Sequence, residues 1–204
     1  MLEKDTFAEL RHSQEEKYFI QKEQELIKQL RRRIGLENEL EHIAHTKEFV
    51  TEELLRDLQL LGYRQETLSL LRLVPLVYVA WSEGFVTDRE RQQIFSVARA
   101  RGVEENSIAD IQLKKWLDDS PSEEFFQKSL GIIQTVLHAL PPEEEAVEKL
   151  ELVKECRQVA EVSRDLLEYW GAITPSEQEA INRIAAELER EHYKVAEQAS
   201  VAKQ

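Results

Sequence analysis

A single cysteine, Cys156, leaves this 204-residue chain no partner for an intrachain disulfide. Its neighbours Val153, Val159 and Ala160 predict a small, half-buried apolar role for it rather than a nucleophilic one. Long hydrophobic runs are missing too. The longest, Leu68 to Trp81, is interrupted by Ser69, Arg72 and Pro75, and is too short and too polar for a bilayer span, so no membrane insertion is expected. Cationic charge is scarce: Asp and Glu number 40 against 27 Lys and Arg, a net charge of -13. Nucleic acid and anionic membrane both need clustered positive surface, so neither is expected as the main partner. The one basic run, Arg31-Arg32-Arg33, is short and reads as a solvated helix face or a patch for an acidic protein. No catalytic constellation emerges either. His12, His42, His45, His138 and His192 are scattered, with no HExxH, no Gly-rich phosphate loop, no GxSxG and no Cys-His pairing. The expectation is a non-enzyme without a cofactor. Period-two alternation and hairpin dipeptides are absent, so the fold class is all-α. The opening Leu2-Glu3-Lys4-Asp5 resembles neither a signal nor a transit peptide, and the expected localisation is cytoplasmic.

What the chain does have begins with Phe7 to Leu30, which holds no Gly or Pro and is rich in Glu, Gln, Lys and Leu. Its apolar residues, among them Phe7, Leu10, Tyr18, Phe19, Leu26, Ile27 and Leu30, are too few for an ordinary core helix. From Arg11 to Lys17 nearly everything is polar. A helix this polar gains little from burial on its own, so two adjacent aromatics flanked by charge read as anchors for a groove on something else.

This stretch resembles the inhibitory region of the mitochondrial ATPase inhibitor family. The matching features are Phe7, the charged run through Arg11, Glu15-Glu16 with Lys17, Tyr18-Phe19 at the family's distance from Phe7, and Glu25-Leu26-Ile27. The likeness covers about the first fifth of the chain. It implies that the arm inserts into the catalytic head of an F-type ATP synthase and blocks hydrolysis. The partner-binding residues would be Phe7, Leu10, Glu15, Glu16, Tyr18, Phe19, Glu25, Leu26 and Ile27. The same family uses helix histidines for pH-dependent self-assembly. His42 and His45 lie one turn apart but off the stripe Ile34, Leu36, Leu40, Ile43, Val50, and read as plain exposed side chains. Gly35 is either a weak point in one long helix or a break between arm and body.

From Thr51 the character changes. Thr51-Glu52-Glu53 predicts a helix start, with Leu54, Leu55, Leu58 and Leu61 buried and Gly62 as the stop. The segment through LVPLVYVAW predicts the central core helix, kinked or begun by Pro75 and ended by Gly84. Three capping boxes follow: Thr87 with Glu90, Ser120 with Glu123, and Thr174 with Glu177, the last two with Pro at the first helical position. Helices are also expected at about Ser107–Leu117 and Glu143–Tyr169. The resulting division is an arm over 1–47, a bundle over 48–192 and a frayed tail over 193–204.

Gly84-Phe85-Val86-Thr87-Asp88-Arg89-Glu90 parallels Gly171-Ala172-Ile173-Thr174-Pro175-Ser176-Glu177, and an Ile follows each Glu by four residues, at Ile94 and Ile181. This is a repeated helix-turn-helix unit. On Val77 to Glu90 the chain is similar to the tellurite-resistance TerB-like family, a bundle of two such units whose turn acids have been linked to divalent cations. Glu83, Asp88 and Glu90 are the corresponding candidates. The stretch imitates the second half of an EF-hand loop, but the first and third ligand positions hold Val79 and Trp81, so a structural turn is expected instead. The second function this suggests is a stress-response or scaffold module, with the arm serving as a homo-oligomerising helix.

Overall fold

The computed structural model describes residue 18 and residues 21–31, 33–38, 40, 51–162 and 173–190. Among these residues every regular element is helical and there is no strand, as the missing alternation predicts. Residues 21–31 and 33–38 are helical. The bundle proper comprises α1 (Glu52–Leu60), a 3-10 segment η1 (Gln65–Leu73), α2 (Val74–Ala80), α3 (Asp88–Ala100), α4 (Ile108–Asp118), α5 (Glu123–His138), α6 (Pro142–Val162) and α7 (Pro175–Glu189).

The most apolar stretch takes the centre, in two pieces rather than one helix. Residues 65–73 wind as a 3-10 helix, and α2 begins only at Val74, with Pro75 in its first turn, where a missing amide hydrogen costs no helical bond. Val74, Leu76, Val77 and Val79 are fully buried, and α2 packs on η1, α3, α5, α6 and α7. The helix ends at Ala80, before the expected Gly84. Gly84, at φ 84°, instead closes the following turn, donating to the Trp81 carbonyl at 2.9 Å.

Local chemistry sets the other boundaries. The Thr51 hydroxyl accepts from the Leu54 amide at 3.2 Å and starts α1. Helices α1 and α3 end alike. Gly62 and Gly102 take positive φ and donate to Gln59 and Arg99, while Tyr63 and Val103 donate back to Leu58 and Ala98, which satisfies the last carbonyls. The Thr87–Glu90 and Thr174–Glu177 boxes both form. The expected Ser120–Glu123 box does not. Ser122 is the cap, its hydroxyl accepting from the Phe125 amide at 3.2 Å, so Pro121 precedes the cap instead of opening the helix. Two serines flank that proline, and the one nearer the helix can reach the third amide.

Polar helix α6 buries only Leu152, Cys156, Val159 and Ala160, so Cys156 is fully buried rather than half-buried. Arg101 clasps both Glu155 oxygens at 2.7 and 2.9 Å, and Arg72 pairs with Glu148. Leu36 and Leu40, on the arm side of the expected 47/48 boundary, are fully buried in the same core. The expected ends of α6 at Tyr169 and of the bundle at 192, the Gly171-Ala172 turn and the 193–204 tail lie outside the described residues.

Candidate functional site

At 100° per residue, Leu26, Ile27, Leu30 and Ile34 fall within one arc of about 100° on the N-terminal helix. All four are open to solvent, at 59, 43, 58 and 47% exposure, and Tyr18 is 60% exposed. The adjoining face carries Leu36 and Leu40 into the core, so one helix has a packed face and an unpacked one. Gly35 explains how it seats. A Cβ there would lie 2.6 Å from the Gln65 Oε1 and 3.2 Å from its Cβ, so glycine lets the helix lie close against the start of η1. Residues 33–38 are helical, so Gly35 marks a close approach, not a break. Arg33 pairs with Glu52 and ties the helix to α1. Between the helix and the α1–η1 turn lies a cleft of about 480 Å³, lined by Leu26, Leu30, Arg33, Gln59, Tyr63 and Arg64.

Of the residues expected to bind a partner, Tyr18, Glu25, Leu26 and Ile27 are described. The last three share one helix, with Glu25 Oε1 accepting from Gln29 Nε2 at 3.4 Å. The Lys22 ammonium lies 5.8 Å from the Tyr18 ring centroid. Phe7, Leu10, Glu15, Glu16 and Phe19 lie outside the described residues, as do His42 and His45.

The acidic turn is arranged for capping. Glu90 is 3% exposed, and its Oε2 accepts from both the Thr87 amide and the Thr87 hydroxyl at 2.7 Å. Burial raises its carboxyl above the ordinary range, partly opposed by those Thr87 bonds and reinforced by the charges of Glu177 and Glu83. Glu83 and Asp88 stay exposed, and Val79 is fully buried. Among the described residues no group of three His, Cys, Asp or Glu side chains is placed to hold a metal ion.

Three polar arrangements escaped the sequence reading. Asp110 is fully buried and accepts from Arg99 at 2.5 Å, Lys114 at 2.8 Å and the Asn106 amide at 2.9 Å. It also stands three residues after the Ser107 cap, a spacing that a capping search open to Asp at the third position would have found. Arg183 joins α7 to α2 and α5 through the Tyr78 hydroxyl and Glu123, both at 2.6 Å. These line a second cleft of about 460 Å³ with Ser82 and Ser176, and the cation facing it is thus already engaged. Tyr63, stacked on Phe125 and edge-on to Trp116, shares a hydrogen bond with Ser129 at 3.3 Å. Neither of these last two carries a sequence signal, because the partners lie tens of residues apart.

The open helix face is therefore the described surface best suited to binding, and its chemistry is that of an apolar protein contact. No family model, curated protein or solved structure matches the chain.

Proposed function

We propose that this chain is a non-enzymatic, cytoplasmic regulatory protein whose N-terminal helix docks on the catalytic head of an F-type ATP synthase and inhibits ATP hydrolysis. One observation carries the reading: Tyr18, Leu26 and Ile27, which resemble the inhibitor family's contact residues, are exposed, and the last two stand on a helix anchored to a folded bundle. Anchoring matters energetically. Ordering a free arm costs about 1–2 kcal/mol per residue, and that cost is reduced where the helix is preformed. Each aromatic buried at the partner returns roughly 1.5–3 kcal/mol, so Tyr18 and Phe19 are the expected hot spots. Glu15, Glu16 and Glu25 set orientation against cationic groups of the partner.

The test is ATPase activity of an isolated catalytic head titrated with the full chain. Tyr18→Ala/Phe19→Ala is expected to weaken inhibition by about two orders of magnitude, at ~1.4 kcal/mol per tenfold, while Gln21→Ala changes it little. Hydrolysis untouched by the wild-type chain at roughly 50 µM, an affinity of only about −6 kcal/mol, overturns the reading. A TerB-like scaffold role for the bundle then takes its place. Its support is the pair of equivalently built caps, Thr87–Glu90 and Thr174–Glu177.

A further inference from the structure

The cleft beside the N-terminal helix brings arm and bundle together: Leu26, Leu30 and Arg33 wall one side, Gln59, Gly62, Tyr63 and Arg64 the other. Lys22, Leu26 and Leu30 follow at four-residue steps and Arg33 comes three later, so the four stand in one row on the cleft side of the helix. Glu23, Ile27 and Ile34 lie further round, on the outer side. Leu26 and Leu30 are open to solvent, whereas Tyr63 across from them is buried. A protein surface that covers the two leucines closes this cleft and meets Gln59 and Arg64 on its far wall. Charge narrows what that surface carries. The chain has a net charge of -13, yet among the described residues the cleft is lined by two arginines and no carboxylate. Glu52 engages Arg33, while Arg64 is exposed and pairs with no described carboxylate. Lys22, its ammonium 5.8 Å from the Tyr18 ring centroid, adds a cation one turn beyond Leu26.

We infer that the arm does not dock alone: the contact extends onto the α1–η1 turn, and an acidic, amphipathic helix of the partner lies in the cleft. Its apolar side covers Leu26 and Leu30, and its carboxylates meet Arg64 and Lys22. A helix seated in an apolar groove is a recurring docking mode, and opposite charge at the rim fixes its orientation. Arg64 is suited to the task, because a guanidinium takes a carboxylate through two parallel hydrogen bonds. Its backbone supplies its part in the fold: the amide donates to the Thr67 hydroxyl at 3.0 Å, and the carbonyl accepts from that hydroxyl at 3.3 Å. The side chain is left for the partner. That the partner is the catalytic head rests on the inhibitor reading; that its contact has two parts rests on the cleft.

The experiment titrates ATP hydrolysis by the isolated catalytic head with the full chain and its variants. Arg64→Glu is expected to weaken inhibition by about tenfold or more, and Arg64→Lys by only about threefold. Neither shifts the melting temperature, because the backbone bonds to Thr67 remain. Added salt weakens wild-type inhibition and affects Arg64→Glu less. Leu150→Asp, which places a negative charge on an exposed position of α6, changes inhibition little. Arg64→Glu inhibiting as well as the wild type overturns the inference and leaves the inhibitor reading standing. An equal loss in Leu150→Asp also overturns it, since net charge would then be the cause. Hydrolysis untouched by the wild-type chain overturns both.

Discussion

Asp110 and Glu90 are both acidic residues at the third position of a helix and both buried, yet their surroundings push them in opposite directions. The Lys114 ammonium, then Arg99 and the Asn106 amide, hold the Asp110 carboxyl down at about 2 against an ordinary 3.8, although burial opposes them. A depressed folded value means that the stabilisation is present above the ordinary pKa and is lost as pH falls from 3.8 towards about 2. Asp110→Asn keeps the shape but loses the charge that Arg99 and Lys114 need. It is expected to cost about 1–3 kcal/mol at neutral pH and to flatten the acid limb of stability, measured by denaturant unfolding across pH. Glu90 carries the reverse sign, because burial raises its carboxyl. Its ionised form is held at a cost above the folded pKa, and this cost is relieved as pH falls through that value. Glu90→Gln retains an acceptor for the Thr87 amide without the charge and should be neutral or stabilising at neutral pH. Glu90→Ala loses the cap partner and should cost roughly 1 kcal/mol. The same unfolding assay separates the two. Burial likewise raises the Cys156 thiol, leaving it unreactive in the native state.

Among the elements, the N-terminal helix is the unusual one, since it owes its position to a missing side chain. Gly35→Ala gains about 1 kcal/mol of helix propensity but presses its Cβ on Gln65, so the two effects nearly cancel. Gly35→Val brings two further carbons and a stiff branch to the same contact. It should lower the melting temperature by several degrees, about 1–3 kcal/mol of overpacking, as followed by circular dichroism. Helix α6 shows the complementary case. It is long and mostly polar, and its placement depends on Arg72 and Arg101 reaching across from η1 and the end of α3. Both pairs, Arg72 with Glu148 and Arg101 with Glu155, are only partly exposed.

Over the whole molecule, bundle and arm are not separable at residue 47. Leu36 and Leu40 are core residues, and removing buried leucines costs about 2–5 kcal/mol each. Deletion of residues 1–47 should therefore lower stability by roughly 4 kcal/mol or more, up to loss of cooperative unfolding. Deletion of residues 1–20 leaves Leu36 and Leu40 in place and should unfold close to the full chain. Calorimetry of the two truncations gives the answer, and equal midpoints would show that the arm's leucines carry no stability. No described helix is long and apolar enough to cross a membrane.

Some of this was determined by the sequence alone, because the physics involved is local. The all-α class, the Thr51, Thr87, Ser107 and Thr174 starts and the Gly62 and Gly102 stops each depend on groups within about five residues of one another, and residue type and spacing suffice. The shift from Ser120 to Ser122 and the 3-10 winding before Val74 lie at the edge of that reach. In both, neighbouring residues offer competing local solutions. Tertiary structure alone decided the rest. It seats Leu36 and Leu40 in the core, gives Gly35 its purpose against Gln65, buries Asp110 among its cations and ties Arg183 to Tyr78. It also leaves Leu26, Ile27, Leu30 and Ile34 without a cover within the described chain. Periodicity marks a face as apolar, but whether that face is packed or open depends on what the rest of the chain brings to it, and that is a long-range property no local pattern encodes.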